Sequence, residues 1–206
     1  MQLGGATEGG WRNEPTRLLG TELHPLRVTP PNDMFSCMGI TIHYKGQLSS
    51  EAAYQDLVGL VSSIAEAEGW LTEPIASGEV TLHGVRDEQD RDYIGPVKGI
   101  VVYLHEDCDP VRLEFDRDLY LQEFTKTQFA GVQVHLDVVK LLKAIQPFFH
   151  NLDVEDEGEW WETGDTQILT EHLARAQKAI ETELRKDPSA RMKVKTPTGR
   201  IMDLIT

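Results

Sequence analysis

Basic residues are in short supply, with 20 lysines and arginines against 34 aspartates and glutamates, a formal charge of −14 at pH 7. Such a surface repels phosphate backbones, and nucleic-acid binders ordinarily show a basic patch, so nucleic acid is not an expected partner. Cysteine is scarcer still: the two present, Cys37 and Cys108, form no metal-spacing pair. No stretch approaches the roughly 20 consecutive apolar residues of a membrane helix. The first residues lack a basic run followed by an apolar one, so no secretory signal is read there and the cytoplasm is the expected location. The chain also shows no internal repeat and no family signature, and no cofactor is expected.

What is present is a soluble, globular composition, 40% apolar and 26% charged over 206 residues, enough for one domain with tails. The acidity is explained in its plainest form by solubility. In its sharper form it points to a basic protein partner.

Residues 1–33 carry Gly4, Gly5, Gly9, Gly10, Pro15, Pro25, Pro30 and Pro31 without helical or strand period, and read as an irregular tail that could dock through Trp11 or its leucines. Met34 or Met38 offers an alternative start. From Met38 to Leu48, Ile40, Ile42 and Tyr44 alternate with Thr41, His43 and Lys45, the pattern of a strand with one buried face. A helix follows, with Ser49 or Ser50 as cap, Leu57, Leu60, Val61 and Ile64 at helical spacing, and Gly69 as stop. "GEVTLHGV" reads as a short strand, "RDEQDRDYIGP" as a solvated loop and "VKGIVVYLHE" as a covered strand. Val111, Leu113 and Phe115 then alternate with Arg112, Glu114 and Asp116 in a strand joined by a hairpin.

A second helix spans Gly131 to about Phe149, disturbed by Pro147 in its last turn. A third begins at Asp165 and ends near Asp187, leaving residues 188–206 as a tail or a small hairpin around Pro197-Thr198-Gly199. With the short strand set aside, the order is that of a ferredoxin-like, split-βαβ fold over residues 34–187. The expectation is thus an α+β domain: an antiparallel sheet packed by two helices, with an extra strand, a third C-terminal helix and irregular tails.

In that order "LDVEDEGEWWETGD", Leu152 to Asp165, forms an edge strand beside the first. Alternation puts Asp153, Glu155, Glu157 and Glu159 on one face and Leu152, Val154 and Trp160 on the other, with Gly158 as a bulge. Trp160 is then expected in the core near Leu142 or Ile145, and Trp161 on the carboxylate face. Two functional readings compete with a merely soluble edge. Trp161 beside Glu157, Glu159 and Glu162 composes a recognition surface for a basic, partly apolar partner. Alternatively Asp156, Glu157, Glu159 and Glu162, together with Asp107 and Asp109 and with His105 as acid–base group, serve a metal-assisted hydrolase, although no calcium-loop spacing is present.

Other candidates read more plainly. "YLHEDCDP" is a polar hairpin turn, because acids flanking Cys108 raise rather than lower a thiol pKa. "FTKTQFAG" is read as capping for the second helix, lacking the glycines of a phosphate loop. His135 and His172 are histidines at the core edge. The open face of the sheet is expected to gather His43 and Lys45, Arg112 and Glu114 from the neighbouring strand, and Tyr103 and His105 beyond, a shallow site in which His43 and Arg112 join the binding candidates. The expected function is a non-enzymatic module that binds a protein partner, of which inhibitors of basic proteins are one class.

Overall fold

The computed structural model describes residues 39–206 apart from 87–88, 188, 197–198 and 206. The N-terminal tail, Cys37 and the alternative starts Met34 and Met38 lie outside the described residues. The described chain is an α+β arrangement of antiparallel strands and helices. In order it runs β1 (Thr41–Leu48), α1 (Glu51–Glu68), β2 (Leu71–Arg86), β3 (Gln89–Tyr103), β4 (Val111–Phe115), β5 (Tyr120–Lys126), α2 (Gly131–Ile145), β6 (Phe149–Asp156), α3 (Trp160–Thr163), α4 (Thr166–Lys186), β7 (Arg191–Lys195) and β8 (Ile201–Ile205). No helix among the described residues is long and apolar enough to cross a membrane.

Local signals place the first helix where the spacing predicts it. The Ser50 hydroxyl accepts from Ala53 N–H at 3.1 Å, and Gly69 takes the left-handed conformation, φ 72°, that ends the helix. Pro147 turns the end of the second helix into a 3₁₀ turn, Gln146–Phe148, before β6.

Strands β5, β1 and β6 form one sheet in that order, β2, β3 and β4 a second, and β7 with β8 a third of two strands. One buried cluster underlies the first two. Ile42, Tyr44 and Leu48 of β1 meet Leu57 and Val61 of α1, Val138, Leu142 and Ile145 of α2, and Val102, Leu113 and Phe115 of the second sheet. Full burial of such side chains stabilises by about 1.5–3 kcal/mol each. Gly99 lets β3 and β4 approach, since a Cβ there would stand 1.8 Å from the Leu113 carbonyl oxygen.

Three expectations are corrected. The segment read as a short strand, a loop and a further strand is one long antiparallel hairpin of β2 and β3, with Leu71 opposite Tyr103 and Arg86 opposite Gln89. No described residue of β2 is buried, so the segment lacks the core-facing apolar stripe by which a long strand is recognised; Asp87 and Glu88 of the expected loop lie outside the described residues. Next, the neighbour of β1 is β5, Tyr44 lying opposite Glu123, whereas the strand with Arg112 pairs with β3. Polar residues at exposed Gln122 and half-buried Glu123 conceal the alternation of β5. Finally, the acidic strand stops at Asp156, so the shared face of Asp153 and Glu155 does not extend to Glu157 and Glu159. Gly158 is not a bulge within a ladder: a Cβ there would meet Leu169 at 2.6 Å and His135 at 2.9 Å.

Candidate functional site

Helices α1 and α2 pack against the face of the sheet β5-β1-β6 that carries Ile42, Tyr44 and Leu48. Alternation on β1 turns His43 and Lys45 the other way, and the β2–β3 hairpin brings Thr81, Leu82, His83 and Tyr93 to the same region. Between them lies a cleft of about 680 Å³. Its floor carries His43 and Phe124, ring centres 5.9 Å apart, and Phe124 remains 38% exposed. The acids Asp92, Glu114, Asp116, Asp118, Glu123, Asp153 and Glu155 line it, against Lys45 and Arg200 among the lysines and arginines. Lys45 is engaged with Asp153 at 3.4 Å and His83 with Asp92 at 2.8 Å, both pairs largely in solvent.

Behind the cleft runs a charge network, of which Glu114, Glu123 and Arg200 reach the lining. Arg112 faces Glu114 at 3.2 Å and Glu123 at 3.7 Å. Burial pushes the Glu123 carboxyl above its ordinary range, while Arg200 and Arg112 pull it down. Arg200 belongs to the β7–β8 connection. Its guanidinium lies over the Phe124 ring at 4.0 Å, donates to the Phe124 carbonyl at 2.6 Å and pairs with the Glu123 carboxylate. The turn containing Cys108 seats this hairpin: Lys193 reaches Asp107 at 2.5 Å, and buried Asp109 accepts from Ile201 N–H at 2.5 Å. Burial raises the Asp109 carboxyl, opposed by the Ile201 N–H and by Arg200. Burial, assisted by the Asp109 charge, raises the Cys108 thiol to about 12.

On the helix-covered side stands a second constellation. His135, fully buried on α2, places Nδ1 2.8 Å from the Thr127 hydroxyl and Nε2 3.1 Å from Asp156. Asp156 also accepts from the N–H groups of Gly158, Trp160 and Trp161 at 2.8, 2.9 and 2.9 Å. Burial raises its carboxyl, but the imidazole and these amides outweigh that and hold it below the ordinary carboxylate range. Hydroxyl, imidazole and carboxylate are aligned as in a nucleophilic triad, yet the hydroxyl is sealed inside the core, where its geometry fastens α2 to the chain leaving β6. Thr127 therefore does not cap α2, whose N-cap Ala130 offers no side-chain bond.

The binding candidates chosen from sequence divide between distant neighbourhoods. His43 lies in the cleft with Lys45 and Glu114, whereas Arg112, Tyr103 and His105 are not among its lining residues. Glu157 accepts from Thr41 N–H at 2.7 Å, Glu159 pairs with His172 at 3.1 Å, and Glu162 is exposed on α3. Trp160 and Trp161 do not diverge to opposite faces. Both are half-buried against the core, under the Lys143 ammonium at 4.8 and 5.2 Å, because the chain has left the pleat for a helical turn. Of the hydrolase ligand set, Asp107 is paired with Lys193, Asp109 with Ile201, and Asp156 with His135. Among the described residues, no three His, Cys, Asp or Glu side chains are grouped to hold a metal ion. Missed by sequence reasoning were Phe124, Glu123 and Arg200, whose only signal was an aromatic residue in an otherwise polar stretch.

No family model matches the chain, and no curated protein or solved structure matches it.

Proposed function

We propose that the protein is a non-enzymatic binding module whose acidic cleft receives basic side chains of a protein partner. The observation that carries this reading is the composition of the cleft: carboxylates from β3, β4, β5 and β6 and the β4–β5 turn surround an exposed aromatic floor, with Lys45 and Arg200 as their lysine and arginine counter-charges. A field of one sign in a concave site concentrates the opposite charge and speeds encounter. The flat face of Phe124 adds an apolar and cation-accepting surface. The framework is read as an elaborated ferredoxin-like domain, supported by the edge position of β6 beside central β1 and by two helices on one face of that sheet.

The test compares binding of a lysine- and arginine-rich peptide with that of an acidic peptide of equal length at low and at physiological salt. The basic peptide should bind with an affinity that falls as salt rises, and the variant Asp153→Asn/Glu155→Gln should weaken it without lowering Tm. Binding unaffected by that double substitution would remove the cleft from the account.

A further inference from the structure

One end of the cleft already holds a guanidinium, and the way it is held is selective. Arg200 stacks at 4.0 Å on Phe124, donates Nη1–H to the Phe124 carbonyl at 2.6 Å and turns Nη2 to Glu123. A third acceptor stands behind: Asp109 Oδ2 lies 3.8 Å from Nη1, in a side chain 1% exposed, and this oxygen has no hydrogen-bond partner. A planar, five-donor cation meets a ring face, a carbonyl and carboxylates at once, whereas a lysine ammonium reaches as a point charge and leaves the ring unstacked.

We infer that this end of the cleft is an arginine-recognition pocket, occupied here by the chain's own Arg200, and that an arginine on an exposed segment of the partner takes it by displacing the C-terminal hairpin. The inference rests on the proposed role of the cleft and adds which basic side chain is read. The occupant is suited to exchange. β7 and β8 pair only with each other among the described residues, and two-stranded hairpins are marginal in isolation. Anchoring comes from Lys193 on Asp107, from Ile201 N–H on Asp109, and from the buried Ile201 side chain. Arg200 thus competes with the partner, and the observed affinity is reduced by the fraction of molecules in which the pocket is closed.

The experiment uses the full chain, with acetyl-arginine methylamide and acetyl-lysine methylamide as probes, followed by calorimetry and by chemical shifts of Phe124 and Glu123. Arg200→Ala should bind the arginine probe at least about tenfold more tightly than the unsubstituted protein, as removal of an intramolecular competitor requires, and should prefer it over the lysine probe. A folded Arg200→Ala that binds both probes alike, or the arginine probe no better than the parent does, would overturn the inference. Should Arg200→Ala not fold, Arg200→Gln keeps a polar side chain at the site without the charge and is held to the same two criteria. If those criteria fail while basic peptides still bind in a manner sensitive to Asp153→Asn/Glu155→Gln, arginine selectivity alone is lost; if both fail, the role of the cleft falls with it.

Discussion

The hydroxyl of Tyr44 accepts a hydrogen bond from the backbone N–H of Arg112 at 3.1 Å, across a seam where no ladder joins β4 to β5 among the described residues. The same oxygen stands 3.1 Å from the Arg112 carbonyl and 3.2 Å from the Thr125 hydroxyl. One phenol therefore replaces the bonds a continuous sheet would have supplied. Burial, reinforced by the Glu123 charge, raises its pKa, keeping it a neutral donor. Tyr44→Phe leaves the Arg112 amide buried without that partner and is expected to cost about 1–3 kcal/mol in urea unfolding, with faster amide exchange at Arg112 than at its ladder-bonded neighbours.

Asp156 is the acid-sensitive point of the core. Its folded pKa lies below the ordinary 3.8, so its stabilisation is fully present above the unfolded pKa and is lost as pH falls through the folded value. Asp156→Ala strands His135 and three backbone amides and is expected to cost roughly 3–5 kcal/mol at pH 7. The variant should also show a shallower loss of stability on acidification, measured by urea titrations from pH 6 to pH 2. A parallel acid profile for variant and parent would assign the acid sensitivity to other groups.

The two indoles are expected to behave alike. Each is half-buried, and each shares Lys143, so Trp160→Ala and Trp161→Ala should each cost about 2 kcal/mol, less than the 3–5 of a fully buried tryptophan. A loss of about 3–5 kcal/mol in one variant with little change in the other would show that one of them carries the corner.

Cys108 is 4% exposed and its thiol is raised to about 12, so almost none is thiolate at neutral pH. Brief iodoacetamide treatment of the native protein should leave the Cys108 peptide unmodified by mass spectrometry, while the same treatment in urea should label it.

Elements whose burial is one-sided were legible in advance. β1, α1, α2 and α4 each carry a periodic apolar stripe because one face meets the core, and their limits follow from Ser50, Gly69, Pro147 and Asp165. The full length of the β2–β3 ribbon was not legible, because no described side chain of β2 is buried and backbone pairing leaves no mark in one sequence. The same limit hid the site. His43 was found because it alternates with Ile42 and Tyr44, but the association of Arg200 with Phe124, separated by 76 residues, depends on how the C-terminal hairpin docks. Adjacent tryptophans implied opposite faces only while a strand was assumed.

Strand β2 runs for 16 residues along the margin of its sheet, unpaired on its outer side among the described residues. An edge of that length is a template on which further copies could polymerise. Pro74 lacks an amide to offer, and the register slips between Ser77 and Val80, so an incoming strand would find its row of donors interrupted. Pro74 and that slip thus guard the protein against growth from this edge. Pro74→Val should fold as the parent does, yet scatter light increasingly with concentration and time.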